Sequence, residues 1–329
     1  MEFKIDRPDP LGILRSTKKV VETAKFVSIK NENIDKISNR IKERFEKGIG
    51  SQEIGVSPIE NMENSLQLLF LEDVVNFCFW PDEGTPKWQV ETIDEKITSG
   101  GWYSLQACFE RGLKNRIPIL DAHYLSSISL EDGSQFFKGI NNVQIPLLQE
   151  RVNNLREAGR ILADKFNGKF INVIHAADYD AIKLAKLIIE KFPSFRDVSV
   201  LDGKKIFFYK RAQIVAQDIS YIFRSLEKQL TNLEQLTAFA DYKLPQILRM
   251  YGVLEYEKNL VERIDNYVQI LHDSREEIEI RSATIWSVEL LRCYLPNMTI
   301  ANIDNTIWII SQDVQGEARP YHRTRTIYY

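Results

Sequence analysis

The chain has 329 residues, of which 44% are hydrophobic and 27% charged, and a net charge of −3, the balance of a soluble globular protein. That charge argues against a general DNA or RNA binder, which needs a basic stripe to neutralise phosphates. No apolar run approaches the roughly 18 residues of a membrane span, and the start MEFKIDRPDP is charged and broken by prolines, unlike a signal peptide. Cys78, Cys108, Cys293 and the four histidines are scattered without disulfide or metal-ligand spacing. Free thiols in a reducing cytoplasm and no metal site are therefore expected.

The first helical spacing falls on Leu14, Val21 and Ala24 in DPLGILRSTKKVVETAKFVSI. NIDKISNRIKERF follows, with Ile34, Ile37, Ile41 and Phe45 on one face. SLQLLFLEDVVNFCFW is apolar nearly all round up to Pro81, as a buried segment is. Gly100-Gly101 predicts a turn that feeds a helix through WYSLQACFERGL. RVNNLREAGRILADKF carries Val152, Leu155, Leu162 and Phe166 at helical intervals, and DAIKLAKLIIEKF ends against Pro193. In VSVLDGKKIFFY the Asp202-Gly203 pair predicts a hairpin. KRAQIVAQDISYIFRSL sets Ala212, Val215, Ile219, Ile222 and Leu226 on one stripe. EIEIRSATIWSVELLRCYL does the same through Ile278, Ile285, Val288, Leu291 and Leu295, and the tail RTRTIYY alternates like a strand. With no repeat, low-complexity block or Gly/Ser linker, the expectation is a mainly α protein with minor β. It is one globular domain over 1–329, with two lobes at about 1–140 and 141–329.

One carboxylate sits awkwardly. Leu230, Leu233, Leu236 and Ala240 predict a helix that ends near Asp241, where the helix dipole opposes a negative charge by some tenths of a kcal/mol up to about one. Pro245 suits the first position of the next helix, with Leu244 at its boundary. Leu244, Leu248 and Tyr251 share a face, and Gly252 supplies the stop. A short helix that ends in Gly-Val-Leu has the pattern of a helix–hairpin–helix unit. On this spacing Asp241 lies too early to cap that helix. Two roles stay open from the residues alone. One is a loop aspartate tied to a nearby N–H or to Lys243. The other is a catalytic carboxylate between aromatic walls, its charge tuned by poor solvation.

Several longer motifs occur together: NFCFWPDE (76–83), GGWYSLQACFERGLKNRIPILDAHYLSSIS (100–129), FPSFRDVS (192–199), FYKRAQI (208–214), FADYKLPQIL (239–248), EIEIRSATIWSVEL (277–290) and YHRTRTIYY (321–329). In this order they resemble the queuosine salvage protein family, from about Asp9 to Tyr329, with the poorest match between about Gly48 and Asn64. The resemblance implies an N-glycosidase that cleaves queuosine 5′-phosphate and releases queuine, a modified 7-deazaguanine, for reinsertion into transfer RNA. It also implies a mainly α fold similar to helix–hairpin–helix DNA glycosylases, with neither metal nor organic cofactor. The expected partner is this small-molecule substrate, without a stable nucleic-acid or membrane partner, and the expected location is cytoplasmic.

Carried onto this chain, the FADY motif makes Asp241 the catalytic carboxylate. It would act beneath the anomeric carbon as nucleophile or as stabiliser of an oxocarbenium-like sugar. A 7-deazapurine has carbon in place of N7, so the departing ring must be stabilised through its other polar edge atoms. Phe239 is expected to stack on the base. Asp304 and Trp308, one helical turn apart in DNTIW, are expected to bind the base or its cyclopentenediol. Some relatives have an acid after that tryptophan; here it is Ile309. Lys210 and Arg211 open the KRAQ helix, whose N-terminus favours an anion, with Lys210 nearer the chemistry and Arg211 structural. His322, Arg323 and Arg325 are candidates for holding the 5′-phosphate, and Tyr242 supports Asp241. Glu279, Trp286 and Glu289 share a helical face toward the pocket, with a buried Glu–Arg bond through Arg281. Two rival classes remain: a nucleic-acid base glycosylase, which must grip a polyanion and extrude a base, and a carrier that binds the modified base without reaction.

Overall fold

The computed structural model describes residues 3–48, 61–225 and 229–329. Leu226 and most of the weakly matching stretch after Gly48 lie outside the described residues. The order begins with α1 (Ile13–Glu22), β1 (Val27–Ile29) and α2 (Ile34–Glu46). Next come α3 (Met62–Val74), α4 (Trp102–Lys114), α5 (Ala122–Ser127), α6 (Leu130–Phe136) and the long α7 (Leu148–Phe166). They are followed by α8 (Ile171–Ala176), α9 (Ala181–Lys191), β2 (Val198–Leu201), β3 (Lys204–Phe207) and α10 (Lys210–Ser225). The last part holds α11 (Lys243–Met250), β4 (Leu254–Tyr256), α12 (Lys258–Asp265), α13 (Arg275–Tyr294) and α14 (Ile300–Asp313). The fold is mainly helical with two small antiparallel sheets, β1 with β4 and β2 with β3.

The hairpin expected at Asp202-Gly203 is present, with Leu201 paired to Lys204. Its two turn residues have φ 49° and 75°, the left-handed pair that a two-residue type I′ turn demands. The apolar run after Ser65 divides in two. The helix α3 stops at Val74, and the following NFCFW is irregular, with Cys78 at φ 44°, because Arg151, fully buried, draws its carbonyls away. That guanidinium donates to the carbonyls of Val75, Phe77 and Cys78 and to Pro146. Backbone groups that would have continued the helix are satisfied by a side chain instead.

Two expectations from spacing are overturned. Residues 230 to 240 hold a single short turn, Leu233–Gln235, in place of a helix. Gln213 accepts the Thr237 N–H at 2.8 Å, and Asp304 accepts the Phe239 N–H at 2.7 Å. These side chains hold the backbone extended. The tail RTRTIYY forms no strand. It is held by a Cys78 N–H bond to the Tyr329 carbonyl at 2.9 Å, with Tyr329 buried.

The core falls into two clusters. One is built from α3 to α10 around Phe70, Phe170 and Phe192; the other gathers α1, α2, α11 and α14 about α13. The N-terminal helices thus pack with the C-terminal ones, and β1 pairs Val27 with Tyr256. Tyr209 and Trp308 touch both clusters. Along the extended segment, Phe239 belongs to the first cluster while Ala238 and Ala240 belong to the second. This is the alternation of an extended chain, and it places the FADY motif on the seam.

Gly159 marks a close backbone contact between two helices of that framework. A Cβ at this position of α7 would lie 2.5 Å from the Ser126 nitrogen and 2.6 Å from the Ala122 oxygen, both backbone atoms of α5. Gly159→Ala is expected to lower stability by about 1–3 kcal/mol through overpacking, although alanine is the better helix former. Urea unfolding measures this; a midpoint equal to or above wild type would show that α5 yields freely.

Candidate active site

Asp241 is held by one oxygen. Its Oδ1 accepts the N–H groups of Lys243 at 2.7 Å and Leu244 at 3.0 Å, the first turn of α11. The helix therefore starts at Lys243, two residues before Pro245, and Asp241 does cap it, contrary to the spacing argument. Proline at the third position is compatible because the first turn's N–H groups have no intrahelical partners. A carboxylate at this end gains from the dipole. Burial nevertheless raises the Asp241 carboxyl above the ordinary aspartate value, with Lys210 and the two backbone bonds opposing that shift.

Around it lies a cavity on the seam, with free space of about 1160 Å³ including its mouth. Phe239, Asp241, Tyr242, Lys210, Asp304 and Trp308, all expected from the sequence, line it. Asp304 and Trp308 share a face of α14, and the Asp304 bond to the Phe239 N–H ties that helix to the FADY segment. Burial pushes the Asp304 carboxyl well up. The Lys210 ammonium is pushed down by burial, while Asp241, Asp73 and Asp304 favour its charge. Tyr103 faces Trp308 with ring centroids 6.0 Å apart, and Tyr242 lies 4.7 Å from Tyr321. The walls are thus largely aromatic.

Behind the cavity, Arg281 is fully buried and makes a two-pronged bond to Asp197 at 2.8 and 2.6 Å. Its Nε donates to the Ala240 carbonyl at 3.1 Å, the residue before Asp241. Asp197 in turn accepts the Lys210 N–H at 3.1 Å. One ion pair therefore positions both Asp241 and Lys210. The expected Glu–Arg bond is the weaker contact, with Glu277 at 3.5 Å. Arg211 is structural, donating to the Asp73 and Val74 carbonyls at 3.1 and 2.6 Å, at the end of α3.

Other expected site residues lie elsewhere. Glu279 accepts the N–H groups of Lys25 and Phe26, which fixes the turn before β1. Trp286 bonds Thr17 Oγ1 at 3.0 Å and packs edge-on to Phe3, and Glu289 pairs with Arg7. None of the three lines the cavity, because that face of α13 is covered by the N-terminal segment. His322 and Arg323 also lie outside the lining. Burial, with Arg281 nearby, pushes His322 down to about 3, so it carries no positive charge for a phosphate at neutral pH. Arg323 stacks 4.3 Å from the Tyr267 ring, and Arg325 lies over Trp80 and pairs with Asp82.

Lys87, Lys243 and Asp218 line the cavity without having been singled out for it. Asp218 was legible: Lys210, Ile214 and Asp218 stand four residues apart on α10, hence on one face. Lys87 comes from a loop distant in sequence and left no such signal.

The family model described as queuosine salvage protein matches residues 56–329. A Sphaerobacter thermophilus protein named queuosine 5′-phosphate N-glycosylase/hydrolase is 38% identical over 330 residues, 98% of this chain and 99% of its own. Proteins of the same name are 35% identical in Bos taurus, over 83% of this chain and 84% of theirs, and 33% identical in Dictyostelium discoideum, over 98% and 100%.

The neutral His322 has a consequence for stability. Its native pKa is depressed, so the unfolded chain binds the proton more readily, and stability falls as pH drops from 6.5 toward about 3. The slope from this residue is at most about 1.4 kcal/mol per pH unit. Unfolding free energies of wild type and His322→Gln, compared between pH 7 and pH 5, should converge on acidification. Parallel curves would show that His322 is not buried as a neutral ring. By its motifs, the extent of the match and these relatives, the chain belongs to the queuosine salvage protein family.

Proposed function

We propose that this chain is an N-glycosidase that hydrolyses queuosine 5′-phosphate to queuine and ribose 5-phosphate. The observation that carries this reading is Asp241, a buried carboxylate fixed through Oδ1 in an aromatic cavity beside Lys210, in a chain whose relatives bear that activity in their names. The cavity is concave and lined by aromatic rings with a few charged side chains, the character of a small-molecule site.

In this mechanism the base lies against Phe239 with Trp308 beyond it, and the sugar turns its anomeric carbon toward Asp241. As the glycosidic bond lengthens, positive charge grows on the ribose, and a fixed carboxylate in a poorly solvated site stabilises it without reorganising. The bonding electrons leave on the 7-deazapurine, which has no N7 to protonate. Asp304, whose carboxyl burial pushes well up toward the protonated form, is the donor we assign to the ring edge. The Lys210 charge keeps Asp241 ionised. Water then completes the hydrolysis, either on the sugar cation or on a glycosyl ester of Asp241.

We further read the α11–turn–α12 unit around Gly252 as the basis of a helix–hairpin–helix, DNA-glycosylase-like architecture. The chain would form one globular domain over 1–329, and would work in the cytoplasm on a small molecule without a resident metal or organic cofactor.

Asp241→Asn preserves an oxygen for the two N–H bonds and removes only the charge. It should lower turnover by at least about 10²-fold, while calorimetry shows queuosine 5′-phosphate still bound. Chromatography of the released base decides this, with guanosine 5′-phosphate as the selectivity control. Turnover of the variant at the wild-type rate would remove Asp241 from the chemistry, and a wild-type protein that binds but releases no base is a carrier. The pH–rate profile offers an independent check. Catalysis needs ionised Asp241, whose pKa is raised above 3.8, so the acid limb of kcat should lie above that value. A flat profile down to pH 3.8 would contradict it.

A further inference from the structure

Six ammonium and carboxyl side chains line the cavity: Lys87, Lys243, Asp241, Lys210, Asp218 and Asp304. Lys243 and Lys87 are neighbours whose charges oppose each other. Burial first, and then Lys87, push the Lys243 ammonium down to about 8, while Asp241 favours its charge. Asp241 also feels the charge of Lys210. Asp218 in turn feels the charges of Asp73, Lys210 and Asp304, and Asp73 is fully buried.

Asp218 is the side chain the hydrolytic mechanism leaves unused. It is 7% exposed and lines the cavity, and among the described residues no hydrogen-bond donor reaches its carboxylate. Asp304, by contrast, holds the Phe239 N–H. The carboxylate behind, Asp73, takes one bond from Asn76 at 3.2 Å and leaves Oδ2 buried without a donor. Burial and the charge of Asp73 push the Asp218 carboxyl well up. Even apart from Asp304, three carboxylates, Asp73, Asp218 and Asp241, share the charge of Lys210, and buried charges are stable only when paired and hydrogen-bonded. A ligand cation supplies both.

We propose that Asp218, backed by Asp73 and beside Asp304, forms a subsite for an ammonium group carried on the base of the ligand. This rests on the hydrolase reading above. Queuosine fits it chemically. At the carbon that replaces N7, its ring bears a methylene-linked secondary amine, protonated near neutral pH, that leads to the cyclopentenediol. The row of side chains also orients the nucleotide. The phosphate lies toward Lys87 and Lys243, the anomeric carbon at Asp241, and the amine at Asp218. Guanosine 5′-phosphate lacks the amine and would leave Asp218 buried without a partner, so the subsite discriminates by charge as well as by shape.

The test compares queuosine 5′-phosphate with 7-cyano-7-deazaguanosine 5′-phosphate, which has the same ring and phosphate and an uncharged nitrile. Asp218→Asn should lower kcat/KM for the amine-bearing nucleotide by about 10- to 100-fold, as loss of a charge-assisted hydrogen bond does, and leave the nitrile nucleotide unchanged. Equal losses for both, or no loss for either, overturn the proposal. Affinities measured by calorimetry on Asp241→Asn protein supply a second test that needs neither turnover nor a change at Asp218. Tighter binding of the amine nucleotide is expected, and equal affinity overturns the subsite. Absence of base release by wild-type protein would refute the hydrolase reading alone, because the affinity comparison still decides the subsite.

Discussion

The Arg281–Asp197 ion pair is the interaction on which the site depends. Both side chains are buried, and the two bonds between them are short and parallel, the fork geometry that guanidinium and carboxylate favour. Through the Ala240 carbonyl it sets the segment that carries Asp241; through the Lys210 N–H it sets the start of α10. Breaking such a pair from one side leaves an uncompensated charge and typically costs about 3–5 kcal/mol. Phe208 and Tyr329 close over the guanidinium at 3.9 and 4.4 Å, so the C-terminal segment seals the same joint. Burial first, and then Arg281, keep His322 from taking up a proton, and the ring packs outside the cavity lining.

The seam between two core clusters gives this pair its setting. A cavity there can be walled by aromatic side chains from both sides and still receive carboxylates whose backbone is anchored in each. Asp241 is anchored by α11, Asp304 by its bond to Phe239, and Lys210 by Asp197. Burial then does opposite things to opposite charges: carboxyls rise and ammonium groups fall. Lys210 moderates both effects because it stands among the carboxylates. A site of this kind stores electrostatic tension that a complementary ligand relieves.

Much of the helical framework was legible because amphipathic spacing reports which face is buried. The helices α1, α2, α4, α7, α9, α10 and α13 fall where the spacing puts them. The segment before Asp241 misled because its leucines recur at helical intervals while its backbone bonds go to Gln213 and Asp304, partners far along the chain. The start of α11 was misjudged for a related reason. Pro245 tolerates several early positions of a helix, and the capping oxygen of Asp241 selects among them. In the site, the motif residues Phe239, Asp241, Lys210, Asp304 and Trp308 converge on one cavity. Glu279 and Trp286 do not, since helical periodicity says that a face is covered without saying by what.

By itself the sequence determined the helical class, the hairpin at Asp202-Gly203, the family and the short motifs around the candidate carboxylate. These are local patterns, or patterns of order along the chain, and need no knowledge of distant neighbours. Only the tertiary structure decided which charges share a space. Lys87, Lys210, Asp218, Lys243 and Asp304 come from four separate stretches of chain, and their protonation depends on burial and mutual distance. For the same reason Asp241 changed from an ill-placed loop acid into the cap of α11, a carboxylate fixed at one oxygen beneath the cavity.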